Sequence, residues 1–213
     1  PLPTTWEEFL RRLSKRMRAN IGYYTRLANR DLPEVAFELC EGEAIPEAMT
    51  ALFRLHQRRW RSRMLPGVLG SKSVRGFHYE VAERFRERGW LRLHVVRSGG
   101  ATVAALYCFN YRGRYYYYLG GFEPELGKYS LGTTLTAEAI RNAIAEGCTE
   151  FDFLRGEEAY KQRWKPEGRR NVEYLMSVPG SWRAEATLAL NRIERYVEHR
   201  AKAFSDRGKG ART

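Results

Sequence analysis

The sequence predicts an α+β fold: a mixed, mostly antiparallel sheet flanked by helices. Three observations carry this. Residues 91–121 hold three apolar-rich runs of strand character separated by two tight turns, Ser98-Gly99-Gly100 and Arg112-Gly113. Helical periodicity flanks that block on both sides. The connection from the third run through residues 130–146 to a strand at 149–154 is long enough for a right-handed parallel crossover.

The first 32 residues read as one basic amphipathic helix of the same unit. Trp6, Phe9, Leu10, Leu13 and Met17 recur at spacings of three and four. Thr5 with Glu8 three residues on resembles a capping box. Arg11, Arg12, Lys15, Arg16 and Arg18 form the other face, open to RNA, a membrane surface or plain solvent. Pro33 ends the helix. Residues 35–41 read as a short strand, 46–63 as a helix broken by Leu65-Pro66-Gly67, and 74–88 as a third helix stopped by Gly89.

In the meander, Leu91, Leu93 and Val95 alternate with Arg92 and His94. Tyr115-Tyr116-Tyr117-Tyr118 fits either an aromatic strand or a stacking platform. A helix follows over 130–146, closed by Gly147, then a strand at 149–154. A charged stretch carries Tyr160 and Trp164, a strand at 171–178 leads to Pro179-Gly180, and a last amphipathic helix covers 181–204. Residues 205–213 read as a frayed tail. The core proper is expected over 33–180.

Of 213 residues, 37 are Lys or Arg and 25 are Asp or Glu, a net charge of +12 that favours an anionic partner. No apolar run approaches the ~18 residues of a transmembrane helix. The opening PLPTTWEEFL lacks a basic start and an apolar core, so no secretory signal is read. The chain opens on Pro1, the expectation for a fragment. Cys40, Cys108 and Cys148 are odd in number and far apart, against a disulfide framework and against a zinc cluster. Three reduced thiols in a cytoplasmic protein without a metal are expected.

Two segments carry chemistry. The first is Lys128-Tyr129-Ser130-Leu131-Gly132-Thr133-Thr134, a strand–loop–helix junction. The first N–H groups of a helix lack internal acceptors, and together with the helix dipole they attract an anion. Gly132 lets a phosphate approach the backbone, Lys128 adds charge, and Ser130 either caps the helix or binds the anion. The second runs from Phe151 to Trp164. Asp152 within an apolar strand is costly to bury unless paired, and Arg155, Lys161 and Arg163 are its candidate partners.

Tyr129, Ser130, Gly132, Phe151-Asp152-Phe153, Arg155-Gly156-Glu157 and Tyr160-Lys161 together resemble the C-terminal core of the CelD/BcsL-type acetyltransferases. These are GNAT-fold proteins linked to cellulose and exopolysaccharide production. His56, Arg58-Arg59-Trp60 and Gly89-Trp90-Leu91 fit the same pattern, and the resemblance spans roughly residues 9 to 165. Leu131 stands where the family often has Pro, and Thr133-Thr134 where other GNAT enzymes have a glycine-rich turn.

The resemblance implies an acetyl-CoA or other acyl-CoA donor, with its pyrophosphate at Lys128, Ser130, Gly132, Thr133 and Thr134. It implies Tyr160 as the acid that protonates the leaving thiolate, Asp152 and Glu157 as base candidates beside Glu158, and Arg155, Lys161 and Trp164 toward the acceptor. His78 and His94 are further base candidates. The acceptor would be a small molecule or saccharide bearing an amine or hydroxyl. Many family members carry a preceding GNAT-like half, which would lie outside this chain. The related Fem-type aminoacyl transferases add a tRNA-dependent reading, and a non-catalytic module of a polysaccharide-synthesis complex is the third.

Overall fold

A computed structural model describes residues 1–61, 69–156, 158–172, 174–176 and 180–193. Residues Pro1–Glu167 pack as one compact unit, and Gly168–Thr213 as a second.

The N-terminal segment is two helices, α1 (Trp6–Arg12) and α2 (Lys15–Asp31), rather than one. Thr5 caps α1, its Oγ1 accepting the Glu8 N–H at 3.2 Å. Ser14 then caps α2 by accepting the Met17 N–H at 3.1 Å. Arg18 reaches back and donates to the carbonyls of Leu10, Arg11 and Leu13, the last at 2.7 Å. One guanidinium thus closes the end of α1 and fixes the corner, while Arg11, Arg12, Lys15 and Arg16 stay exposed.

The chain continues as β1 (Ala36–Cys40), α3 (Ile45–Arg61), α4 (Lys72–Glu87), β2 (Leu91–Ser98), β3 (Ala101–Tyr111), β4 (Arg114–Phe122), α5 (Leu131–Ala145), β5 (Glu150–Asp152) and α6 (Ala159–Gln162). The five strands pair in sequence order. β1 to β4 are antiparallel, and β5 returns parallel to β4 through α5. Both β-turns put two residues at positive φ, Gly99 and Gly100 then Arg112 and Gly113, the backbone that matches the strand twist in a two-residue hairpin.

Alternation sends Leu93, Val95, Ala105 and Tyr107 to one face, against Met49, Leu52 and Leu55 of α3 and Ala82 of α4. Val96, Ala104, Leu106, Cys108 and Tyr115 face the other way, against Leu131, Leu135, Ala139 and Ala143 of α5 and Ala28 of α2. The outer side of α5 packs on α1 and α2 through Ile140, Ile144, Phe9, Leu13 and Met17. Both faces of the sheet are covered, so the strand residues His94, Ser98 and Thr102 are buried despite their polarity.

Two irregularities in β4 shape its surroundings. Tyr107 pairs with Leu119 and Cys108 with Tyr117, so Tyr118 is an extra residue, a β-bulge. At Gly121 a Cβ would lie 2.6 Å from the His56 backbone nitrogen and 2.9 Å from the Leu55 carbonyl carbon. Only glycine lets α3 ride directly on the strand.

The strand expected at 149–154 is confined to Glu150–Asp152. The strand expected at 171–178 is absent from residues 171, 172 and 174–176, which form no regular element; the rest of that stretch lies outside the described residues. In the second unit residues 182–193 are helical, with Ser181 Oγ accepting the Ala184 N–H at 3.4 Å. The remainder of the last helix, the tail, and the break at Leu65-Pro66-Gly67 also lie outside the described residues. All three cysteines are free and buried. Among the described residues no helix is long and apolar enough to cross a membrane.

Candidate functional site

The mouth of α5 is built by an unusual entry. A 3₁₀ turn over Pro124–Tyr129 delivers the chain to Ser130, which sits at φ 46° and ψ 42° and makes no side-chain cap. A left-handed serine is costly by ~1–2 kcal/mol and frees its hydroxyl from the ordinary capping role. The Ser130 carbonyl accepts the N–H groups of Thr133 at 2.8 Å and Thr134 at 3.3 Å. The amides of Leu131 and Gly132 are therefore the two that face out of the helix end. No acidic residue lies in the first turn.

The expected anion-binding set divides accordingly. Gly132 belongs to the mouth: a Cβ there would meet the Phe122 ring at 3.4 Å, ordinary contact distance, so further bulk projects toward that ring. Thr133 contributes an amide already turned back to Ser130. Thr134 is buried, and its hydroxyl donates to the Leu131 carbonyl at 3.0 Å, so its side chain serves the helix. The Lys128 ammonium lies 4.7 Å above the Tyr129 ring. Its pKa is raised first by a hydrogen bond to Tyr129, with Asp31 adding a smaller push.

Along β4, toward the end that leads into the mouth, β4 and β5 separate. Their pairing stops at Tyr116 with Asp152, while β4 runs on to Phe122. Tyr117 is the first β4 residue past the pairing. Its ring lies 5.8 Å from Phe153 and 6.2 Å from Tyr160 of α6. Tyr160 is half-buried and flanks the gap between the strands.

The neighbouring residues depart from expectation. Asp152 enters no ion pair with Arg155, Lys161 or Arg163 among the described residues. Its Oδ1 accepts the Leu154 N–H at 2.7 Å, and Leu154 sits at φ 56°, so the carboxylate holds a turn that breaks β5 away from β4. Lys161 is 5% exposed; its Nζ donates to the Arg155 carbonyl at 2.7 Å and pairs with Glu158 at 2.8 Å, which fastens the 155–156 loop to α6. Trp164 is buried against Phe9, ring centroids 6.5 Å apart, in the α1–α2–α5 core, so it is a packing residue and not an acceptor contact. Arg155 is exposed. Glu157 lies outside the described residues.

Two polar groupings have no local signature. At the far end of α5, Arg92 grips Glu146 with Nε–Oε1 and Nη2–Oε2 distances of 2.8 Å, and Asn110 donates to the same carboxylate at 2.6 Å. Burial pushes the Glu146 pKa up, but the hydrogen bonds from Arg92 and Asn110 outweigh it, and the net shift is down. Beside them His94 Nε2 and the Tyr115 hydroxyl are 2.6 Å apart, and burial drives His94 down to about 4. This cluster stands about 22 Å from the mouth at 1.5 Å per residue, so His94 is structural. On the α3–α4 face, His78 Nδ1 and Tyr107 Oη are buried with no hydrogen-bond partner among the described residues. The His78 ring is 5.4 Å from Tyr118, the bulged residue, and burial lowers its pKa.

Comparisons with known proteins agree with this layout. The family model of the acetyltransferase (GNAT) domain matches residues 15–162. Among solved structures, FemX superposes with a TM-score of 0.57 at 11% identity, covering 75% of this chain and 56% of its own. The chain thus spans little more than half the length of FemX. The C-terminal domain of a lysylphosphatidylglycerol synthetase described as putative, from Agrobacterium fabrum, gives 0.49 at 14% identity over 74% of this chain and 55% of its own. An aminoglycoside acetyltransferase, AAC(6')-Iy, bound to a bisubstrate analogue, gives 0.46 at 13% over 68% and 99%. No curated protein sequence matches. With more than half its length under that one model, and with the sheet order and parallel return of β5 the fold requires, the chain belongs to the GNAT acetyltransferase family.

Proposed function

We propose that the protein transfers an acetyl or other acyl group from acyl-CoA to an amine or hydroxyl of a small-molecule or saccharide acceptor. The observation that carries this reading is the coincidence of two openings. The outward amides of Leu131 and Gly132 stand at a helix end with no acid in its first turn, beside Phe122 at the same end of β4 that β5 leaves unpaired. A pyrophosphate fits the first, and an extended thiol arm fits the second.

CoA would supply the activated thioester. The chain's own residues position it: Leu131 and Gly132 through their amides, Ser130 through its uncommitted hydroxyl. The acceptor nitrogen or oxygen bonds to the acyl carbon as the carbon–sulfur bond breaks. The leaving sulfur takes a proton from Tyr160, and the acceptor's proton passes to a base or to solvent. The resemblance to CelD/BcsL-type proteins favours a saccharide acceptor in cellulose or exopolysaccharide synthesis within the cytoplasm. The resemblance to Fem-type aminoacyl transferases gives a second reading, an aminoacyl transfer from tRNA, which the +12 charge would assist.

Titration of acetyl-CoA against tRNA retention on a gel separates the two. Gly132→Val is expected to weaken acetyl-CoA binding tenfold or more, about 1.4 kcal/mol, with the circular dichroism spectrum unchanged. A folded Gly132→Val protein that binds acetyl-CoA like wild type moves the donor site elsewhere.

A further inference from the structure

We propose that the groove between α3 and α4 seats an anionic group, phosphate or carboxylate, carried by the acceptor. The proposal rests on the acyltransferase reading and narrows its substrate class.

The groove has a volume of about 330 Å³, the lower end of the range for small-ligand sites. That volume accommodates a monosaccharide. Phe53, buried, is its apolar wall, and the hydroxyls of Thr50 and Tyr79 meet across it at 2.7 Å. Arg54 and Arg58 enter from α3 and Arg75 from α4.

Each guanidinium is held in place. Arg54 Nη2 donates to the Thr102 carbonyl at 2.8 Å. Arg58 pairs with Glu123 at 2.6 Å and Glu125 at 2.7 Å. Arg75 donates to the carbonyls of Leu69 at 3.3 Å and Gly70 at 2.9 Å, both through Nη1. Among the described residues its Nε and Nη2 hydrogens meet no acceptor and remain for a ligand, in the fork that matches a planar carboxylate or a phosphate edge. Three guanidinium groups against two carboxylates leave the groove one positive charge. Anchoring the side chains beforehand lowers the ordering cost of binding.

The groove is also joined to the donor mouth. Glu123, which also lies 3.6 Å from Arg54, directly follows β4 and precedes the Pro124–Tyr129 turn that leads into Ser130. An acceptor anchored there by its charge would have its reactive group on the α3 side of β4.

The test is calorimetric titration of the full chain, saturated with CoA, with glucosamine 6-phosphate, glucuronic acid and glucosamine. The anionic sugars are expected to bind at least tenfold tighter than glucosamine. Arg75→Gln is expected to erase that preference and leave CoA binding intact. Preference for the phosphate alone, or for both anions, identifies the group recognised and supports the site in either case. Arg54→Gln, assayed in parallel with thermal unfolding, serves if Arg75→Gln fails to fold. Equal binding of all three sugars, no binding of either anion, or an undiminished preference in the folded variants overturns the proposal. If CoA itself does not bind, the acyltransferase reading fails on its own, and the same titrations without CoA still decide the groove.

Discussion

The two ends of α5 use the same backbone in opposite ways. At the C-terminal end the dipole is negative, and a carboxylate there is unfavourable. Glu146 sits there nonetheless, because Arg92 meets it with two parallel hydrogen bonds and Asn110 adds a third. There Glu146, Arg92 and Asn110 answer one another. At the N-terminal end, among the described residues, no side chain caps the helix. α1 carries Glu7 and Glu8 in its first turn, whereas α5 has no acid in its first turn, no side-chain cap and a left-handed Ser130. A helix end completed by its own protein is structure; an end left incomplete, beside a gap in the sheet, is a place for a ligand.

That contrast can be broken by mutation. The largest effect belongs to the mouth. Tyr160→Phe removes one hydroxyl beside the β4–β5 gap. Turnover is expected to fall ~10²–10⁴-fold, with acetyl-CoA affinity nearly unchanged, once an acceptor is in hand. Steady-state kinetics near wild type would remove Tyr160 from the chemistry. Next, Glu146→Ala leaves Arg92 without its carboxylate partner. Urea unfolding should show a loss of about 2–4 kcal/mol, while acetyl-CoA affinity of the folded protein stays constant. A parallel loss of affinity would mean the two ends are not independent.

The smallest effect is a pH slope. The folded pKa of His94, about 4, lies below its ordinary 6.5. The unfolded chain therefore takes up the proton first. Stability from this group is complete above pH 6.5 and falls as the pH drops toward 4, by about 2 kcal/mol at pH 5. His94→Gln keeps a hydrogen-bonding group near Tyr115 and should flatten that part of the curve. Urea midpoints at pH 7 and pH 5 measure it; an identical acid loss in wild type and variant would assign the slope to other groups.

The meander and the α5 crossover are legible in the sequence because period-two runs, tight turns and a helical stretch closed by Gly147 are local signals. The corner between α1 and α2 is not. Leu13 and Met17 continue the apolar spacing across it, and only Ser14, an ordinary N-cap residue, marks the break. At the site, Gly132 and Ser130 announce a helix entry open to an anion. The roles of Asp152, Lys161 and Trp164 depend on what the chain does after β5, and three charged or aromatic residues in a short stretch do not say which of them will turn inward. Arg92 and Glu146 lie 54 positions apart. The alternation around Leu91, Leu93 and Val95 suggests an outward Arg92 and His94; both turn inward because α5 covers that face as well.

The seating of α3 on Gly121 has a consequence for how this protein can vary. Even the smallest side chain at that position would strike helix backbone, not a movable neighbour. In a library randomised at codon 121 and selected for folded protein, glycine should be recovered alone. Flanking positions, where a side chain has somewhere to go, would return many solutions. Neither α3 nor the arginines it carries can drift from β4 by small substitutions at this contact, so the spacing between the groove and the strand is inherited as a unit.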